Sequence, residues 1–304
     1  MIGAQITFET PRQQMTSEVS PGAQAIVREP TFGATVLYRQ HSEIRLTQLF
    51  AALQSFAPAV VMGDWKGPFT TPPTDDQGVA MLSVDGIRLS VLNISAPPPS
   101  AFFDSGLLPN ALLPNAALKL GAHRAHVIVM PAKRPADHAA AIATARAVML
   151  LTWAVAKVTQ AEALKWEDAN NLAPVTSLST YVSNMLPADG MMVPAWVRIL
   201  VGRAHGQQKL MAGTYGLWAF GVPEIEYAPC DLPIDFLVMH AYAICEYLLK
   251  ANKSMKNGDT IGADDRGGTF RIEALQPGFF TRGPALRLSL IQAGPPRSVP
   301  PLNR

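Results

Sequence analysis

Glu224 and Glu226, two residues apart, are a carboxylate pair to be weighed for acid–base chemistry. Residues i and i+2 of a strand share a face. Glycoside hydrolysis needs two carboxyls on either side of a bond, about 5–10 Å apart. Neighbours on one strand face do not flank a substrate, so a solvated strand edge is the expected setting. His123 and His126 come next, as two imidazoles for a metal. They precede or enter an apolar run, and on a strand residues three apart point to opposite faces. Zinc needs three or four converging ligands. No Glu follows the pair in a metalloprotease pattern, and Asp137-His138 lies nearby in sequence, with nothing in the sequence to show that it returns in space. His240 sits on an apolar helical stripe and reads as a hydrogen-bonded core histidine. Asp264-Asp265-Arg266-Gly267-Gly268 is a polar loop without EF-hand spacing.

Other chemistries have even less to stand on. The chain contains no Gly-x-x-x-x-Gly-Lys-Ser/Thr, no Gly-x-Gly-x-x-Gly and no Gly-x-Ser-x-Gly. A Ser-His-Asp triad leaves no linear trace, because its members need only meet in space. No catalytic residue, metal site or cofactor is therefore expected. Trp196, Arg198 and Tyr215 are the one hint of a base-stacking sheet surface. The net charge of +2 argues against nucleic acid as a partner.

The elements that must position these residues follow from composition and pattern. A chain of 304 residues suggests about two domains. Hydrophobic residues are 48 % and charged residues 16 %, the opposite balance from a disordered chain. Cys230 and Cys245 make no disulfide framework. Two reduced thiols are expected, and a single bridge stays open because sequence does not give their separation. Glu9 interrupts any apolar leader, so no signal peptide is expected and the cytoplasm is the expected compartment. The most lipid-like stretch is Ala139–Val158. Its charge-free core, Ala147–Ala156, falls short of the ~20 residues a span requires. A buried helix is expected there, and no membrane partner.

Residues 1–30 read as an irregular segment with a strand at Ile2–Glu9. A first α+β half covers 31–160, a second 161–292, and 293–304 is a proline-rich disordered tail. In the first half, Ala34–Tyr38 reads as a strand, Ser42–Phe56 as a helix and Gly63–Gly78 as a loop. Val79–Val84 and Ile87–Ile94 flank Asp85-Gly86, the residue pair of a type I′ hairpin turn. A weak helix within Phe103–Leu120, a strand at Ala125–Met130 and a helix capped by Asp137 follow. In the second half, Leu164–Glu167 is a strand, Ser177–Met185 a helix, and Ala195–Ala204 with Lys209–Phe220 a hairpin. A helix runs from Asp231 to Lys250, and strands follow at Thr269–Leu275 and Leu286–Leu290. Each half thus has the order of a ferredoxin-like βαββαβ unit with a mainly antiparallel sheet, and the long buried helix lies between the two.

Tyr215-Gly-Leu-Trp-Ala-Phe-Gly-Val-Pro-Glu-Ile-Glu226 and Asn257-Gly-Asp-Thr-Ile-Gly262 together resemble the bacterial domain-of-unknown-function family 4261, over about residues 211–290. The resemblance implies a bacterial α+β domain and carries no catalytic residues with it. Read physically, Leu217 and Trp218 point to opposite faces of a strand, and Pro223 marks a strand end or edge. Asn257-Gly258 is a turn that Asp259 braces. Tyr215, Trp218, Glu224 and Glu226 remain as the expected binding residues at a sheet edge. The function expected is non-catalytic protein binding, as in an immunity or accessory factor of a toxin or secretion system. A hydrolase with its site between the halves is the alternative, and a small-molecule sensor at the same interface is weaker still.

Overall fold

The computed structural model describes residues 29–40, 43–66, 79–99, 123–185, 190–203, 208–251, 255–263, 268–275, 277–278, 280 and 283–292. The expected strand Ile2–Glu9, the helix within Phe103–Leu120, the tail 293–304 and most of the Asp264–Gly268 loop lie outside them.

The first sheet is built on β1, Ala34–Tyr38, whose five residues are all buried. Seven strands lie in the order β2-β3-β4-β5-β1-β6-β7. The others are β2 (Met62–Lys66), β3 (Val79–Val84), β4 (Ile87–Ile94), β5 (Ala125–Pro131), β6 (Ala163–Trp166) and β7 (Asn171–Pro174). Every neighbouring pair is antiparallel. The β3–β4 turn is made by Asp85 at φ 49° and Gly86 at φ 77°, as its residue pair predicts. β2 arises within the stretch expected to be loop. The sheet also continues past residue 160, because β6 pairs with β1.

Helix α2 (His138–Thr159) lies along this sheet, and α1 (Leu46–Phe56) packs against α2. Asp137 caps α2, its carboxylate accepting the Ala140 N–H at 2.8 Å. Gln160 ends the helix in the left-handed region. By length and composition α2 could cross a membrane, yet 72 % of its most apolar window is buried within the protein. It is a core helix, apolar nearly all round because it is enclosed nearly all round.

After α3 (Val175–Met185) and the single turn α4 (Val193–Trp196), a second sheet forms in the order β11-β12-β13-β10-β9-β8. Its strands are β8 (Arg198–Arg203), β9 (Leu210–Tyr215), β10 (Glu224–Cys230), β11 (Thr260–Ala263), β12 (Gly268–Leu275) and β13 (Ala285–Gln292). β10 and β13 run parallel, and the other pairs are antiparallel. Helix α5 (Ile234–Ala251) packs against this sheet near β8 and β9. The α+β class and mainly antiparallel sheets are as expected, with seven and six strands where a ferredoxin-like unit has four. The expected strand from Ala195 begins as α4. The end of the expected strand Lys209–Phe220 is a 3-10 turn, Leu217–Phe220.

Candidate functional site

Glu224 stands at the centre of the motif region, and it is buried rather than solvated. One carboxylate oxygen accepts the N–H groups of Gly216 at 2.8 Å and Trp218 at 3.1 Å. The other accepts the Thr214 hydroxyl at 2.6 Å, and Thr214 Oγ1 in turn accepts the Ile225 N–H at 2.8 Å. Burial pushes the Glu224 carboxyl above its ordinary value, while these bonds pull the other way. The chain around it is bent to fit. Gly216 has φ 130°, and a Cβ there would lie 2.5 Å from the Trp196 carbonyl oxygen and 2.8 Å from Ala169 Cβ. Gly221, at φ 72°, closes the 3-10 turn.

Glu226 is also buried, and its partner is different. One oxygen accepts the Phe280 N–H at 2.7 Å. The Phe280 ring lies where a Cβ on Gly213 would be, 2.5 Å away, and Gly213 is paired with Glu226 across the ladder. A side chain at position 213 would lift this loop from the sheet.

The solvated-edge expectation for Glu224 and Glu226 is therefore corrected. Pro223 does precede β10, but β10 is an inner strand between β9 and β13. Proline just before the first strand residue withholds no ladder donor, so it does not make an edge. Leu217 and Trp218 are corrected too: they lie in the 3-10 turn, not on opposite faces of a strand. Tyr215 ends β9 half-buried, beneath the Arg198 guanidinium, 5.6 Å from its ring centroid. The four expected binding residues are neighbours, then, but two of them are sealed inside.

Trp218 connects this knot to the first sheet. Its indole N–H donates to the Asp168 carbonyl at 3.3 Å. The Asp168 carboxylate accepts the N–H of Thr31, the hydroxyl of Thr31 and the N–H of Phe32, at 2.9, 3.0 and 2.6 Å. Phe32 meets Phe220 edge-on at 5.5 Å, and Trp196 packs against both Phe220 and Trp166. His138, the first residue of α2, reaches two carbonyl oxygens, Phe220 at 3.0 Å and Leu249 at 2.8 Å. A neutral ring donates to one of them, and a ring protonated at both nitrogens to both. Sequence reasoning placed His138 beside a possible metal pair and missed this clip. Asp168 was missed as well, since nothing local marks a residue whose partners lie 136 and 137 positions away.

The remaining candidates separate. His126 bonds the Ala96 carbonyl at 2.9 Å, and His123 lies 3.7 Å from Glu162. Among the described residues no three His, Cys, Asp or Glu side chains gather to hold a metal. His240 is half-buried, bonded to the Tyr227 hydroxyl at 2.9 Å and stacked between Phe236 and Phe270, close to its expected role. Asp259 accepts the Lys256 N–H at 2.8 Å and so braces the Asn257-Gly258 turn. Cys230 and Cys245 are free and buried. A recess of about 300 Å³ lies elsewhere, between Ile87, α2 at Ile142 and Arg146, and the Met191–Trp196 segment.

The fold and the buried motif define an α+β protein whose two sheets are joined by a carboxylate-pinned turn. Residues 213–289, the part holding that turn and most of the second sheet, match the family described as a domain of unknown function (DUF4261). Comparison with curated proteins gives no match, and comparison with solved structures gives none either.

Proposed function

We propose that this chain is a protein-binding module without catalysis of its own, such as a bacterial immunity or accessory factor. The observation that carries the reading is an apolar patch on the outer face of the first sheet. Val79 and Met81 are 46 % and 39 % exposed, while Ala80 and Leu82 between and beside them are buried. Across the ladder Val79 pairs with Leu92 and Leu92 with Ile128; Met81 pairs with Ser90 and Ser90 with Met130, itself 37 % exposed. Cross-strand partners share a face. The result is an apolar surface on three strands, interrupted at Ser90, the kind of exposed feature that marks a protein contact.

The partner this surface suits is another protein with an apolar face. The free, buried thiols support a reducing compartment, and the net charge supports neither nucleic acid nor an anionic surface as partner. What is left of the ferredoxin-like expectation is the strand–helix–strand–strand order of β1-α1-β2-β3 and β10-α5-β11-β12, with further strands enlarging both sheets. Against the hydrolase alternative stands the packing of Phe32, Trp166, Trp196 and Phe220 between the halves, and in its favour the recess between Ile87, α2 and the Met191–Trp196 segment, the place where such a site would lie.

The test is affinity capture from the native host with wild type and with Met81→Glu/Met130→Glu. A stoichiometric protein retained by wild type and lost by the double variant, with unchanged far-UV circular dichroism, is expected. No stoichiometric partner, or equal capture by both, would overturn the reading.

A further inference from the structure

Helix α5 turns one side to the protein and the other to solvent. Leu237, Ala241, Ile244, Cys245 and Leu248 are buried. On the far side Met239 is 64 % and Tyr247 49 % exposed, with Ala243 exposed between them. A spacing of four sets these three in one line along the helix. The alanine makes a low saddle between two large apolar side chains, where a second helix can come close. The charges select that helix. Asp235 lies in the first turn of α5 and Lys250 in the last. A copy of α5 laid parallel would set Asp235 on Asp235 and Lys250 on Lys250. Laid antiparallel about Ala243, it sets Asp235 of each copy beside Lys250 of the other and Met239 against Tyr247. Thioether–aromatic contact and opposed helix dipoles both favour that arrangement. Lys250 also bonds Glu246 on its own helix. An ammonium has three donors and can serve both carboxylates.

We propose that α5 is a self-association face, on which two copies of this chain pair antiparallel about a two-fold axis at Ala243. Each residue of the patch meets its complement on the other copy, which is what a two-fold interface demands. The patch is one helix wide, so the dimer is a weak one, below the ~1,200 Å² typical of stable complexes. The Met81–Met130 surface lies on a different sheet, so the two proposals fail separately.

Sedimentation of the full chain tests the proposal. The expected mass climbs from 32.7 kDa toward twice that value as concentration rises from about 5 to 500 µM. Ala243→Cys should cross-link to itself under mild oxidation, and Ser177→Cys, exposed on α3, should not. Asp235→Lys should weaken the dimer about tenfold through two like-charge contacts, and adding Lys250→Glu should restore it. Circular dichroism identical to wild type establishes that each variant is folded. A constant 32.7 kDa across the range, or Ala243→Cys cross-linking no faster than Ser177→Cys, overturns the self-association face. Failure of the double charge variant to recover overturns the antiparallel arrangement.

Discussion

At the scale of single residues, Glu224 organises the chain around it. It gives acceptors to two backbone N–H groups and a hydroxyl, the Gly216 N–H and the Thr214 hydroxyl fully buried and the Trp218 N–H partly so. Glu224→Leu leaves those three donors without an acceptor, and orphaned buried groups cost about 1–3 kcal/mol each. Thermal or urea unfolding of that variant should show a loss of at least about 3 kcal/mol. Stability equal to wild type would show that the carboxylate does not hold the turn. Glu224→Gln should be far milder, and its effect should depend on pH. Burial raises the folded carboxyl above its unfolded value of about 4.5, so folding favours the protonated form. Wild type keeps that contribution in acid and loses it as pH rises from 4.5 through the folded titration. The glutamine variant has no proton to lose, so its melting temperature should gain on wild type over that window. A constant difference would contradict the direction assigned to Glu224. The two glutamates were visible in the sequence as a pair. Their burial was not, because it depends on β13, which is some sixty positions further along.

The elements show which signals are local. The Asp85-Gly86 hairpin and the Asp137-capped helix carry their own chemistry, in positive φ angles and a side-chain cap, and both form where their residues predict. β2, β7 and β11 are four or five residues long and show no clean alternation to read. Leu217-Trp218-Ala219-Phe220 is apolar throughout, and so short an apolar run fits strand and helical turn alike. Geometry chooses the turn, because Gly216 passes against Trp196 and Ala169 and reverses the chain there. Gly216→Ala places a methyl 2.5 Å from a backbone oxygen, at a φ that L-residues avoid. A loss of roughly 2–4 kcal/mol is expected in chemical denaturation. Gly202→Ala, on an edge strand with nothing within 4 Å, is the control and should stay within about 1 kcal/mol. Equal losses in the two variants would dismiss the close approach as the reason for glycine at 216.

At the scale of the whole molecule, the two sheets share one hydrophobic core. Its buried members run from Phe32 through Val155, Trp196 and Tyr227 to Leu288 without a break between the halves. Trp218 with Asp168 and His138 with Phe220 and Leu249 add polar ties across the same seam. Unfolding in urea should therefore be one transition, with tryptophan fluorescence and far-UV circular dichroism superimposed. Two separated transitions would make the halves independent. The order of strands and helices suggested two units because it is a one-dimensional record. That two aromatic clusters would interlock is a property of surfaces, which appears only once both sheets exist.

The parallel pairing of β10 with β13 also sets a timetable. Glu224–Tyr227 take partners at Ala285–Leu288, across α5 and the intervening hairpin strands. Parallel, long-range pairing is intrinsically slow, since a long loop must close before any contact repays it. Ribosomes deliver the N-terminal end first. During synthesis, the strand at the heart of the second sheet must wait, with one side unzipped, until nearly the whole described chain has emerged.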